Sequence, residues 1–113
     1  RVNAGLIPLT VNWQLSRVAR YKSDDMAIKG YFSHTSPTYG SPFKMMEDFG
    51  LRFSSAGENI AYGQTTPEQV MNAWMNSPGH KANILSPNFT EIGVGYSKNS
   101  SGVCYWTQMF IRP

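Results

Sequence analysis

An α+β fold is predicted: an α-β-α sandwich with a three-stranded antiparallel sheet between helices. Three observations lead to it. Several segments open on a cap residue and continue at helical spacing. After Pro87 the pattern changes to period two. The last strand is apolar or aromatic on both faces, which calls for cover on both sides of a sheet.

Asn12 is placed to cap a helix that starts at Trp13. Leu15, Val18, Ala19, Lys22 (by its stem) and Met26 follow at helical spacing, and Gly30 is suited to stop the helix in a left-handed conformation. Ser41-Pro42 is a cap followed by proline at the first helical position. Phe43, Met46 and Phe49 share one face of this second helix, and Gly50 ends it. Thr66-Pro67-Glu68-Gln69 reads as a capping box for a third helix carrying Val70, Met71, Ala73, Trp74 and Met75. Ser77-Pro78-Gly79-His80 then starts a short fourth helix through about Leu85.

Three strands are expected. Ile92-Gly93-Val94-Gly95-Tyr96 alternates with period two, and its glycines clear one face for a close neighbour. Asn99 to Gly102 is a turn cluster, Val103 to Ile111 is the strand covered on both faces, and Ser55 to Ala61 is a short third strand.

The 113 residues make one domain, and a chain of that length buries about two-thirds of its extended surface. The net charge of +3 comes from dispersed Lys and Arg rather than a dense basic patch, which excludes a nucleic-acid binder. No apolar run approaches the length of a membrane span. Cys104 is the single cysteine, so no intrachain disulfide forms, and its strand-like setting reads as core. The chain opens at Arg1 without an initiator Met, as a mature or excised fragment would. Nothing specifies an oligomer, and a monomer is the default.

The candidate chemistry rests on two histidines and one glutamate. His34 and His80 are the only imidazoles, and each sits in a turn-like setting rich in Ser, Pro or Gly. Glu58, in Gly57-Glu58-Asn59-Ile60, stands among small and apolar neighbours. Two imidazoles and a carboxylate make three of the four ligands zinc takes, although the local zinc signature of two histidines one helical turn apart is absent. A histidine beside a carboxylate also moves protons near neutral pH. Ser33, Ser36 and Ser77 lie close to the histidines, but the first two suit turn hydrogen bonds and Ser77 suits the fourth helix's N-cap. No Gly-x-Ser-x-Gly elbow exists. Asn59, Ser36 and Ser77 are expected to support the cleft. Tyr62, Trp74, Tyr105 and Trp106 read as core or cleft wall.

The runs Tyr31-Phe32-Ser33-His34, Gly57 to Ala61, Ala73-Trp74 with Ser77-Pro78-Gly79-His80, Ile92 to Tyr96 and Tyr105 to Gln108 resemble the CAP superfamily. That superfamily comprises the cysteine-rich secretory proteins, venom allergens and plant pathogenesis-related proteins (SCP/TAPS). Ser77 to Leu85 is similar to the bacterial secreted branch. The resemblance implies an α-β-α sandwich with a cleft of two histidines and two glutamates. His34, Glu58 and His80 match three of these. The second glutamate's position, three residues after Trp74, holds Ser77. The resemblance also implies a shortened first helix ahead of Asn3 and a secreted, extracellular or cell-wall-associated bacterial domain.

For function the resemblance implies chiefly a binding module for a protein, lipid or cell-wall ligand. Its cleft holds a divalent cation on His34 and His80, with Glu58 as a further candidate ligand; zinc is favoured over calcium or magnesium. The rival is a metal-assisted or acid–base hydrolase of peptide or cell-wall material, in which His34, Glu58 and His80 are the catalytic candidates and Glu58 the general base.

Overall fold

The computed structural model describes residues 1–113. A short 3-10 turn, Val2–Ala4, precedes strand β1 (Thr10–Val11) and helix α1 (Trp13–Lys29). Helix α2 is Pro42–Asp48, strand β2 Ser55–Tyr62, helix α3 Pro67–Met75 and helix α4 Pro78–Ile84. Strands β3 (Glu91–Lys98) and β4 (Cys104–Arg112) close the chain.

The caps form where the sequence places them. The Asn12 side chain accepts from the Leu15 amide, Ser41 from Lys44 and Thr66 from Gln69. Gly30 ends α1 at φ 69°, a left-handed conformation that glycine adopts without Cβ strain. The reciprocal half of the third cap is displaced by one residue: Gln69 Oε1 accepts from the amide of Thr65 rather than that of Thr66. On α2 the buried face is Pro42, Met45 and Met46, and Phe43 points to solvent instead of joining Met46.

The sheet corrects the expectation of three antiparallel strands. It has four, in the order β1-β3-β4-β2, and β1 runs parallel to β3. The extra strand is two residues long and exposed on both, so it carries no hydrophobic period. It forms because the chain entering α1 passes the free edge of β3, where Thr10 N donates to Thr90 O and Asn12 N to Ile92 O. The other two pairings, β3 with β4 and β4 with β2, are antiparallel as expected.

Helices cover both faces. On one side Leu15, Val18 and Ala19 of α1 and Met45 and Met46 of α2 pack on Met109 and Ile111 of β4. On the other, Val70 and Trp74 of α3 and Ile84 of α4 pack on Ala61 and Phe110. Alternate residues of β4 therefore feed opposite cores, which is why that strand reads as apolar throughout.

The glycines of β3 set the depth of the α1 layer. A Cβ at Gly95 would lie 2.5 Å from the carbonyl oxygen of Ala19, and one at Gly93 2.6 Å from that of Leu15. The helix backbone rests directly on the strand. Cys104 is buried, and Trp74 and Tyr105 are core; Trp106 is half-buried and Tyr62 exposed.

Candidate functional site

Strand β2 lies at the edge of the sheet and carries Glu58 and Asn59 side by side. Successive residues of a strand project to opposite faces. Glu58 stands opposite Met109 and shares the α1 side; Asn59 stands opposite Gln108 and shares the α3–α4 side. One dipeptide thus reaches both helical layers around the sheet edge.

On the α1 side, His34 is carried by the loop between α1 and α2. Its Nδ1 lies 2.7 Å from Glu58 Oε1. The carboxylate is almost wholly buried, whereas the imidazole is more than half exposed and roofs it. The other carboxylate oxygen, Oε2, is buried and accepts no hydrogen bond from the protein.

Two charges of α1, one helical turn apart, hold this loop from inside. Lys22 is buried to its tip, not only along its stem: its Nζ donates to the carbonyls of Ser33 (2.8 Å) and His34 (3.0 Å) and lies 5.1 Å from the centre of the Tyr31 ring. Burial pushes its pKa down, while Glu58 and Asp25 act in the opposite sense. Asp25 accepts from the hydroxyls of Tyr31 (2.6 Å), Ser36 (2.6 Å) and Thr38 (2.7 Å). Burial would raise the Asp25 pKa, but the donors from Ser36, Tyr31 and Thr38 outweigh it and hold it below the usual carboxylate range. Burial also raises the Tyr31 phenol, with its bond to Asp25 adding to the effect. Ser36 therefore does not line the cleft. It accepts from the amides of Thr38 and Tyr39 and closes the loop that presents His34.

On the other side, α4 is tied to β2 by two asparagines. Asn59 Nδ2 donates to the His80 carbonyl (3.1 Å) and to Gln108 Oε1 (3.1 Å). Asn83 Nδ2 donates to Asn59 Oδ1 (2.9 Å) and to the Glu58 carbonyl (3.3 Å). His80, in the first turn of α4, has its Nδ1 2.9 Å from Ser77 Oγ. This corrects the capping role expected for Ser77: it occupies the N-cap position, but its side chain bonds no amide of the helix. Proline at the first position is not the reason, since Ser41 and Thr66 cap with proline there too; the Ser77 hydroxyl meets the His80 imidazole three residues on instead. Burial lowers the His80 pKa, and the nearby His34 lowers it further.

His34, Glu58, Asn59, Ser77, His80 and Asn83 together line one polar cleft of about 270 Å³ with no hydrophobic wall. Both imidazoles use Nδ1 within the protein and leave Nε2 free. A carboxylate or hydroxyl on Nδ1 is how proteins orient a metal-binding histidine, so the pair suits a divalent cation. Glu58 stands behind His34 rather than beside the two rings, and no three His, Cys, Asp or Glu side chains gather around a common point. The carboxylate and the serine also serve different histidines, so the Ser-His-Glu relay is split between two rings.

Lys22, Asp25 and Asn83 do not stand out in the sequence as site residues. Asn83 follows His80 by three residues and so shares its helical face, which is a usable signal. The two charges carry none, because charged residues on a helix are ordinarily exposed.

A layered α+β domain with a histidine cleft at the sheet edge defines a recognisable class. The chain belongs to the CAP family, the cysteine-rich secretory protein family, whose profile matches residues 1–110. It is 60% identical over 111 residues to YkwD of Bacillus subtilis (strain 168), covering 98% of this chain and 42% of that protein. It is 38% identical over 112 residues to the membrane protein YlbC of the same strain, covering 99% of this chain and 31% of that protein. The chain thus spans less than half the length of these relatives. Among solved structures, an extracellular protein containing a SCP domain from Bacillus anthracis superimposes with a TM-score of 0.91 at 36% identity, covering 100% of this chain and 36% of that one. An outer surface protein of Borrelia burgdorferi shares the fold, with a TM-score of 0.90 at 23% identity over 99% of this chain and 83% of that one. No helix of this chain is long and apolar enough to cross a membrane.

Proposed function

We propose that this chain is a secreted, cell-envelope-associated bacterial binding domain whose ligand is held at the cleft of His34, Glu58 and His80. The observation that carries this reading is the paired arrangement of the histidines. Each has Nδ1 bonded to a partner within the protein, and both residues line the same cleft. Such preorganisation favours recognition because the ring orientations are set before the ligand arrives. The extracellular and outer-surface relatives support the location.

His34 and His80 would hold a divalent cation, zinc first among them, through their Nε2 atoms, with Glu58 orienting His34. Bound there, the ion would polarise a ligand carbonyl or acidify a water. A second reading, a hydrolase, draws on the 2.9 Å approach of Ser77 Oγ to His80 Nδ1. Binding is favoured because the carboxylate that would complete such a pair is engaged by the other histidine.

Retention of the purified domain on bacterial cell envelopes tests the proposal, with and without chelator. Retention is expected for the wild type and loss for the His34→Ala, His80→Ala double variant. Equal retention of both, each folded by circular dichroism, would overturn it. Release of soluble fragments from the envelopes, abolished by Glu58→Gln, would favour the hydrolase.

A further inference from the structure

The polar cleft is the middle of a longer groove, and the groove follows β2. Toward the start of the strand, a hollow of about 390 Å³ shares His34, Glu58 and Asn83 and reaches Ala56, Gly57 and Phe43. Toward its end, a hollow of about 260 Å³ shares Ser77 and His80 and is walled by Phe32, Tyr62 and Trp74. From Ala56 to Tyr62 the strand advances about 20 Å, the length of a short oligomer.

Resting on the binding reading above, we propose that the groove takes a neutral, linear oligosaccharide bearing acetamido groups. Hydrogen-bond complementarity selects it. Asn83 Oδ1 accepts no bond from the protein, and in the metal-free cleft the two Nε2 atoms can each accept. The ligand must therefore be rich in donors, as hydroxyls and acetamido N–H groups are.

Other ligand classes fit less well. An acyl chain would leave the polar centre unpaired. An anion would meet acceptors and a buried carboxylate. An extended peptide added to the strand edge needs outward carbonyls, but those of Glu58 and Ile60 are already taken by Asn83 Nδ2 and Trp74 Nε1.

The ends of the groove complete the match. Phe43 at one mouth, and Phe32 with Tyr62 at the other, are each about half exposed. The Phe32 and Tyr62 ring centres are 4.6 Å apart and form one apolar platform. Rings left open beside a polar centre suit the C–H faces of sugars, as exposed aromatics flank a specific site.

The test is calorimetric and NMR titration with chitotetraose, the β-1,4-linked tetramer of N-acetylglucosamine, in buffer containing chelator. Saturable binding is expected, with shifts at His34, His80, Phe32 and Phe43 and weaker binding of cellotetraose. Phe32→Ala and Phe43→Ala should each weaken binding by about tenfold with unchanged thermal unfolding. No saturation at millimolar tetrasaccharide, or affinity untouched by both variants, would overturn the proposal. If the domain is still retained on envelopes in a His34- and His80-dependent way, the binding reading stands and only the glycan assignment fails; loss of both removes the two together.

Discussion

Replacing Lys22 by Met keeps the buried stem and removes the ammonium. Two carbonyls, those of Ser33 and His34, then lose their only side-chain donor. Charge-assisted hydrogen bonds contribute about 1.5–3 kcal/mol each, so the pair is worth about 3–6 kcal/mol. The substitution also leaves Glu58 without one of its balancing charges. Domains of this size are stable by about 5–15 kcal/mol, so the loss is a large fraction of the total. Urea unfolding at pH 7, followed by tryptophan fluorescence, should show a much lower midpoint with unchanged slope, and thermal melting should fall by roughly 12–24 °C. The His34 loop should loosen first, read as faster amide exchange over residues 31–40. A cost below about 1 kcal/mol, with that loop still protected, would refute the argument that a buried charge on α1 positions His34.

Gly95→Ala should destabilise by about 3 kcal/mol or more, because its Cβ would sit 2.5 Å from the backbone oxygen of Ala19, where no side chain can give way; denaturant melts measure it. His80 has its folded pKa below the usual 6.5, so the unfolded chain binds more protons in between, and stability should be full above pH 6.5 and fall as the pH drops through the folded value. His80→Gln should flatten that slope in melts from pH 7 to pH 4. Asp25, lowered below 3.8, contributes stability that is present above 3.8 and lost as pH falls through its folded value; Asp25→Asn should be less stable than the wild type at pH 7 and converge on it in strong acid. Ser77→Ala should leave stability within about 1 kcal/mol, because its hydroxyl caps no amide, while the His80 ring loses its fixed orientation by NMR.

Local chemistry determined most of the scaffold. A cap side chain, a proline at the first turn or a glycine at positive φ acts within four or five residues, so the helix limits and the β3–β4 hairpin could be read from the chain alone. So could the close approach at Gly93 and Gly95, since a missing side chain on one strand face has few other uses. The histidines and Glu58 could be nominated as chemistry-bearing residues, but not joined.

Tertiary structure decided the rest, because the deciding interactions connect residues far apart in sequence. The parallel strand β1 exists only because Thr10 and Asn12 meet the edge of β3, some eighty residues away. Ser36 was drawn to Asp25, eleven residues back, by an acceptor that only the folded chain brings near. The identity of the edge strand mattered most: with β2 outermost, Glu58 and Asn59 reach around both faces of the sheet, and a dipeptide that alternates by simple strand geometry becomes the hinge on which both histidines are hung.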